Sequence, residues 1–145
     1  MARVEIALPA TFPFSTELDV RVTDLNYGNH LGNDQALGLI HEARRRYLRA
    51  LDLEEISADG HGLVVADAAL VYRAQAFYAE RLRIEVAAGD FGSRGCDFYY
   101  RLCHAASGRD VIHAKTGIVC FDFGSQKVIR MPAAMRAALG GDAGV

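Results

Sequence analysis

Side chains that could carry chemistry are concentrated in one short segment of the chain. His30 is a candidate because histidine is the residue type best suited to proton transfer near neutral pH, and Asp34 adds a carboxylate four residues later. Asn26 can orient a water molecule or hydrogen-bond a carbonyl group, but an amide cannot act as a general base. Gly28 and Gly32 alternate with these residues and allow the backbone to approach a ligand closely. This segment is the first candidate for a catalytic site.

A helical pattern begins directly after this segment. Its apolar residues recur at steps of three and four: Ala36, Leu37, Ile40, Ala43, Tyr47 and Leu51. Asn33 is expected as the N-cap, with Asp34 in the first turn, where the helix dipole favours negative charge. The free N–H groups at such a helix start can stabilise the oxyanion that forms when a thioester carbonyl is attacked.

Some residues of this helix depart from a simple amphipathic pattern. Gly38 costs about 1 kcal/mol relative to alanine, and we expect it where the backbone and a sheet approach closely. Arg44 lies inside the apolar stripe, so its guanidinium needs a carboxylate or carbonyl partner. Asp34, Gly38 and His41 form one row on the helix surface, along which an acyl chain or thioester could lie. Glu42 can pair with the neighbouring arginines or with another subunit.

Strand patterns fill most of the remaining chain. Alternating apolar and polar residues predict a first strand over 18–22 and four more at roughly 62–75, 81–90, 94–105 and 110–123. Residues 127–130 could extend the last strand past a turn, and 132–139 predict a short helix with proline at its first position. One long helix cannot cover both faces of such a sheet. The sheet must therefore curl around the helix or bury its other face against another subunit.

Composition limits the class of protein. With 145 residues and a net charge of −2, the chain fits a single domain over residues 1–145 without a general attraction to nucleic acid or membrane lipid. Its three cysteines show no metal-ligand spacing, so we expect buried free thiols in a reducing compartment and no metal. No secretory signal or membrane-spanning stretch is found. A cytoplasmic location is the corresponding expectation.

The segment and the helix together resemble the signature region of 4-hydroxybenzoyl-CoA thioesterases and of plant acyl-carrier-protein thioesterases. The residues that carry this resemblance are Asp24, Asn26, His30, Leu31, Asn33, Glu42, Ala43 and Arg44, followed by the segment 75–82. The resemblance extends from about residue 18 to 123. It implies the α+β hotdog fold, in which an antiparallel sheet wraps one central helix. It also implies hydrolysis of an acyl-CoA or acyl-carrier thioester, with coenzyme A present only as part of the substrate.

The chain departs from the family pattern at three positions. Asn26 stands where these families usually carry a catalytic aspartate, Gly28 replaces an asparagine of the plant enzymes, and Gly32 replaces the first residue of an Asn-Asn pair. We therefore expect His30 and Asp34 to handle the water and Asn26 to position it or the substrate. The expected substrate-binding residues are Asn33, Gly28, Gly32, Gly38 and Glu42.

Two other functions remain open at the level of sequence. A hydratase or dehydratase on the same fold would use Asp-x-Asn-Pro-x-His, but this chain lacks the proline and has one extra residue before His30. A non-catalytic acyl-CoA-binding module would explain Asn26. In every case we expect a homodimer or homotetramer, because a single wrapped helix leaves much sheet surface to cover.

Overall fold

In the computed structural model, residues 1–142 are described, and residues 143–145 of the expected domain lie outside the described part. The order of elements is β1 (Phe14–Asp19), a 3₁₀ turn (Val22–Asp24), α1 (Gln35–Ala50), β2 (His61–Tyr72), β3 (Arg81–Gly89), β4 (Gly95–His104), β5 (Asp110–Asp122), β6 (Lys127–Val128) and α2 (Ala133–Ala138). This confirms the expected α+β class with one long helix.

The strands form one antiparallel sheet in the order β1-β3-β4-β5-β2, with the short β6 paired to the end of β5. Consecutive strands from β3 to β5 are joined by short connections and pair antiparallel, with one register shift between β4 and β5 at Leu102 and Cys103. The strand β2, which follows α1 in the chain, returns to the far edge beside β5. Its last residue, Tyr72, thereby comes close to the start of α1, and this contact matters for the site.

One apolar core lies between α1 and the sheet. Along β4 the burial alternates, with Cys96, Phe98, Tyr100 and Leu102 turned to the core. The ring of Tyr47 on α1 stacks on Phe14 of β1 at 5.2 Å and meets Phe98 edge-on at 6.1 Å. The helix is therefore clamped against the sheet, and its first residues have a defined position relative to the strand ends.

Several predicted boundaries were wrong. The first strand covers Phe14–Asp19, because the chain turns after Val20, which is buried, and Val22 is 69% exposed. The helix α1 begins at Gln35, so Asp34 is the N-cap in place of Asn33 and makes no side-chain capping bond. Alternation and capping preferences locate elements, but tertiary contacts set where each one stops.

The two unusual helix residues had different outcomes. Gly38 is exposed, and a methyl group built on it meets nothing within 4 Å, so the expected close approach to the sheet was wrong. Arg44 was predicted correctly: it is 6% exposed, and its Nε donates to Glu55 Oε1 at 3.2 Å. Its Nη1 donates to the Tyr100 hydroxyl at 3.3 Å. The buried cation is thus paired, as burial of a charge requires.

The three cysteines are buried free thiols, as predicted. Burial raises the pKa of Cys96 to about 12 and that of Cys120 to about 11. Both thiols are therefore protonated at neutral pH and poorly nucleophilic. Neither helix within residues 1–142 combines the length and apolar character that crossing a bilayer requires.

Candidate active site

A buried aspartate anchors the loop that leads to α1. Asp24 is 2% exposed, and its carboxylate accepts hydrogen bonds from the backbone N–H and the guanidinium of Arg21 at 2.8–3.1 Å. Burial alone raises the pKa of Asp24, but the bonds from Arg21 outweigh it and hold that pKa below its ordinary value. The Asp24 carbonyl also accepts from the Gly32 N–H at 2.9 Å. Asp24 therefore serves the shape of the loop.

A tight turn presents Asn26 and His30 on the same side of the loop. The Asn29 N–H donates to the Asn26 carbonyl, and the Asn26 N–H donates to the His30 carbonyl, each at 2.9 Å. Asn29 has a φ of 65°, in the left-handed region that asparagine tolerates better than most residues. These bonds close the turn, so residues four apart in sequence face each other.

The His30 ring is oriented by its surroundings. Its Nδ1 lies 3.2 Å from the Leu31 carbonyl oxygen, which can only accept a hydrogen bond, so Nδ1 carries the proton of the neutral ring. Phe77 packs edge-on against the ring at 6.5 Å. The second nitrogen, Nε2, therefore holds a free lone pair and can accept a proton from water.

Gly28 leaves a space between this nitrogen and the side chain of Asn26. A methyl group built on Gly28 would lie 2.9 Å from His30 Nε2 and 3.2 Å from Asn26 Oδ1. The Gly28 N–H donates to Asn26 Oδ1 at 2.9 Å, which orients the amide and leaves its NH₂ group to donate elsewhere. The absence of a side chain at Gly28 thus leaves an open position between His30 Nε2 and Asn26 Oδ1.

The start of α1 supplies further donors. The Gly32 N–H bonds to Asp24 and the Ala36 N–H bonds to the Gly32 carbonyl, whereas the N–H groups of Asn33, Asp34 and Gln35 make no hydrogen bond within residues 1–142. These three consecutive residues are exposed. They form the positive end of the helix dipole and can bind an oxyanion.

The Asp34 carboxylate lies beside this helix start. A methyl group built on Gly32 would be 2.8 Å from Asp34 Oδ1 and 3.4 Å from Asn26 Cβ. Because Gly32 has no side chain, the side chains of Asp34 and Asn26 can both lie close to its α-carbon. Within the described part of the chain, no hydrogen-bond donor engages the Asp34 carboxylate.

A cavity of about 180 Å³ joins these groups. Its polar wall contains Asn26, His30 and Asn33, and its apolar wall comes from the strand ends and the loop after β2. The complete lining is Asn26, His30, Leu31, Gly32, Asn33, Tyr72, Ala74, Gln75, Ala76, Val111 and Ile112. Four of the predicted residues thus line one cavity: Asn26, His30, Gly32 and Asn33. Gly28 and Asp34 do not line it, but Gly28 lies next to Asn26 and His30, and Asp34 lies next to Gly32.

The two remaining candidates, Gly38 and Glu42, lie outside this cavity. Both line a larger open groove of about 760 Å³ along the exposed side of α1, together with His41 and Arg45. Glu42 is paired with Arg46, Oε2 to Nε at 3.6 Å, so its predicted pairing with a neighbouring arginine is confirmed. The groove begins about one helical turn, or 5.4 Å, beyond Asp34.

Sequence reasoning did not single out Tyr72 and Gln75 as site residues. The Tyr72 hydroxyl donates to the Asn33 carbonyl at 2.8 Å, although 39 positions separate the two residues. No spacing rule connects the end of one strand to a helix start so far away. Gln75, by contrast, opens the segment 75–82 that already carried part of the family resemblance.

The arrangement has the components of an acyl-transfer site. Backbone donors lie at the helix start, the His30 ring directs Nε2 toward Gly28, and the Asn26 amide lies on the other side of that glycine. These groups can stabilise an oxyanion and deprotonate a water molecule. Comparison with known proteins agrees with this chemistry: the model of the thioesterase-like superfamily matches residues 20–139.

The chain belongs to the thioesterase-like superfamily.

Solved structures of thioesterases share its architecture, the hotdog fold. Slr0204, a 1,4-dihydroxy-2-naphthoyl-CoA thioesterase from Synechocystis, is 22% identical with a TM-score of 0.81, over 87% of this chain and 94% of that one. YbaW, a probable thioesterase from Escherichia coli, is 23% identical with a TM-score of 0.73, over 86% and 95%. PA2801, a putative thioesterase from Pseudomonas aeruginosa, is 19% identical with a TM-score of 0.81, over 90% and 100%. Among proteins of curated function, none matches this sequence significantly.

Proposed function

We propose that this member of the thioesterase-like superfamily hydrolyses an acyl-coenzyme A thioester to a free acid and coenzyme A. The observation that carries the proposal is the meeting of two features at one cavity. Free N–H groups at the start of α1 adjoin Asn33, and His30 Nε2 faces the open position beside Gly28. Oxyanion donors and a proton acceptor are the two requirements for adding water to a thioester carbonyl.

In the proposed reaction, the thioester carbonyl oxygen binds to N–H groups at Asn33 to Gln35. His30 Nε2 takes a proton from a water molecule as the water oxygen attacks the carbonyl carbon. The tetrahedral oxyanion then collapses, the carbon–sulfur bond breaks, and the proton on His30 goes to the departing thiolate. Protons and electrons balance without a cofactor, since coenzyme A takes part only as the leaving group.

Two further side chains assist this reaction. The Asn26 side chain, whose Oδ1 accepts from the Gly28 N–H, has an NH₂ group left to donate, and this group positions the water or the substrate. The Asp34 carboxylate, beside the same helix start, stabilises the positive charge that His30 acquires. Asn26 replaces the aspartate usual in the resembling families, so the proton acceptor here is an imidazole.

The neighbouring proteins support coenzyme A as the carrier. Slr0204 and BH1999 carry the names of a 1,4-dihydroxy-2-naphthoyl-CoA thioesterase and a gentisyl-coenzyme A thioesterase. The groove that contains Gly38 and Glu42 lies along the same helix and can hold another part of such a substrate. We place no nucleic acid, membrane or metal in this reaction.

We also propose that the protein works as a homodimer or homotetramer. The 12-residue strand β2 lies at the edge of the sheet and pairs with β5. On its outer side, Ile56 forms a bridge with Gly62 near the start of the strand. Its middle residues 65–68 are exposed and mostly apolar. An open edge of this kind favours pairing with another chain. Light scattering after gel filtration measures the mass directly, and a monomer at micromolar concentration contradicts this assignment.

A panel of acyl-CoA thioesters, assayed for release of free thiol, tests the proposed function. The panel contains short, long and aromatic acyl groups, and includes an enoyl-CoA. We expect thiol release by the wild type and a loss of about 100-fold or more in kcat for His30→Gln. Asp34→Asn should lose about tenfold, because it removes only a supporting charge.

Three results would contradict the proposal. Hydration of the enoyl-CoA without thiol release identifies a hydratase, and tight binding of acyl-CoA without turnover identifies a binding module. A His30→Gln variant with the wild-type rate removes this histidine from the mechanism.

A further inference from the structure

Tyr72 connects the edge of the sheet to the start of the helix. It is the last residue of β2, and its hydroxyl donates to the Asn33 carbonyl oxygen at 2.8 Å. Its side chain is 53% exposed and also lines the cavity that contains Asn26 and His30. Partial burial, followed by the negative charge of Asp34, raises the pKa of Tyr72. The phenol therefore remains a protonated donor at neutral pH.

The acceptor of this bond belongs to the peptide group that carries the Asp34 N–H. The peptide bond between Asn33 and Asp34 is trans, so its C=O and N–H point in opposite directions. A hydroxyl that holds the Asn33 oxygen therefore fixes the direction of the Asp34 N–H. In a chain of hydrogen bonds, donation to the oxygen also polarises the N–H of the same peptide and makes it a stronger donor.

We propose that Tyr72 is a positioning residue for the thioester reaction, which holds the Asn33–Asp34 peptide so that the Asp34 N–H can bind the oxyanion. This inference rests on the proposed function and adds a residue from a different element to the site. Without the hydroxyl, the peptide would lose its anchor at the exposed helix start, where no other side chain within residues 1–142 bonds to the Asn33 carbonyl.

Tyr72→Phe removes only the oxygen and keeps the ring. The substrate is the acyl-CoA that the wild type hydrolyses fastest. We expect kcat to fall about fivefold to tenfold, which is the rate factor that corresponds to the net free energy of one neutral hydrogen bond. KM should stay unchanged, because the oxyanion exists only in the transition state. The pH profile should keep its shape, since Tyr72 transfers no proton. The matched control is Tyr78→Phe, which removes the hydroxyl of another exposed tyrosine.

An amide NMR spectrum reports on the hydrogen bond from Tyr72 to the Asn33 carbonyl independently of enzymatic activity. In Tyr72→Phe, the Asp34 amide proton should shift upfield, as expected for an N–H that is less polarised, whereas Tyr78→Phe should leave it in place. A Tyr72→Phe variant with wild-type kcat, or with a raised KM and unchanged kcat, overturns the positioning role while the proposed function stands. An unmoved Asp34 resonance overturns it too. A wild type that releases no thiol from any acyl-CoA refutes the proposed function, and the role of Tyr72 with it.

Discussion

The space beside Gly28 offers a direct test of where the reaction takes place. Gly28→Ala changes none of the side chains that are proposed to act. Its added methyl group would lie 2.9 Å from His30 Nε2 and 3.2 Å from Asn26 Oδ1. The backbone at Gly28 lies outside the left-handed region, so alanine can adopt its conformation. The substitution therefore fills the open position without unfolding the loop.

The size of the effect follows from these distances. Non-bonded carbon contacts are normally about 3.5–4.0 Å, so the His30 ring must move by roughly half an ångström or more. A displacement of about 1 Å at a reacting group can cost 100-fold in rate. We therefore expect kcat/KM to fall by about 10- to 100-fold, which corresponds to about 1.4–2.7 kcal/mol of transition-state stabilisation. The free energy of unfolding should change by less than about 1 kcal/mol, since a compatible Gly-to-Ala change itself stabilises slightly.

Two measurements separate the effect of Gly28→Ala on catalysis from its effect on stability. Thiol release from the best acyl-CoA substrate gives kcat/KM, and the melting temperature reports on stability. Gly92→Ala is the matched control, because a methyl group there meets only the Gly95 carbonyl oxygen at 3.9 Å, an ordinary contact. We expect the control to retain full activity. If Gly28→Ala also hydrolyses its substrate at the wild-type rate, the reacting atoms do not lie between His30 and Asn26, and the proposed geometry is wrong.

Two further predictions concern the loop anchor and the thiols. Asp24→Asn should destabilise the fold by about 1.5–3 kcal/mol, because it removes the charge from a buried hydrogen-bonded group; chemical denaturation at pH 7 measures this. Since the folded pKa of Asp24 is lowered, its contribution is present above the unfolded pKa of about 3.9 and is lost as the pH falls below about 4. The difference in the free energy of unfolding between wild type and Asp24→Asn should therefore shrink at acid pH. A difference that stays constant with pH contradicts this role of the Asp24 carboxylate. The raised pKa values of Cys96 and Cys120 predict that a thiol reagent at pH 8 labels them at least about 100-fold more slowly in the native protein than in denaturant; equal rates would show that the core opens readily.

Much of the fold could be predicted from local sequence pattern. Strand alternation found β2 to β5 to within three residues at each end, and a stripe of apolar residues found α1. The need of Arg44 for a carboxylate partner also followed from its place in that stripe, and Glu55 provides it. Such features depend on periodicity and on the cost of burying a charge, which are properties of the chain itself.

The candidate site was only partly predictable. The segment from Asn26 to Asp34 is nearly continuous in sequence, so its residues had to lie close together, and the helix start that follows it had to carry unpaired donors. The composition of this segment therefore predicted which side chains and backbone donors lie near one another at the candidate site.

Only the tertiary structure decided which neighbours complete the site. Pairing of β2 with β5 at the far side of the sheet brings Tyr72 to the Asn33 carbonyl, a contact that no local pattern encodes. The expected close approach of Gly38 to the sheet was wrong for the same reason, because a helical pattern shows which residues share a face but not what lies opposite each one. Local spacing thus determined which groups could react, while long-range packing determined how their donors point.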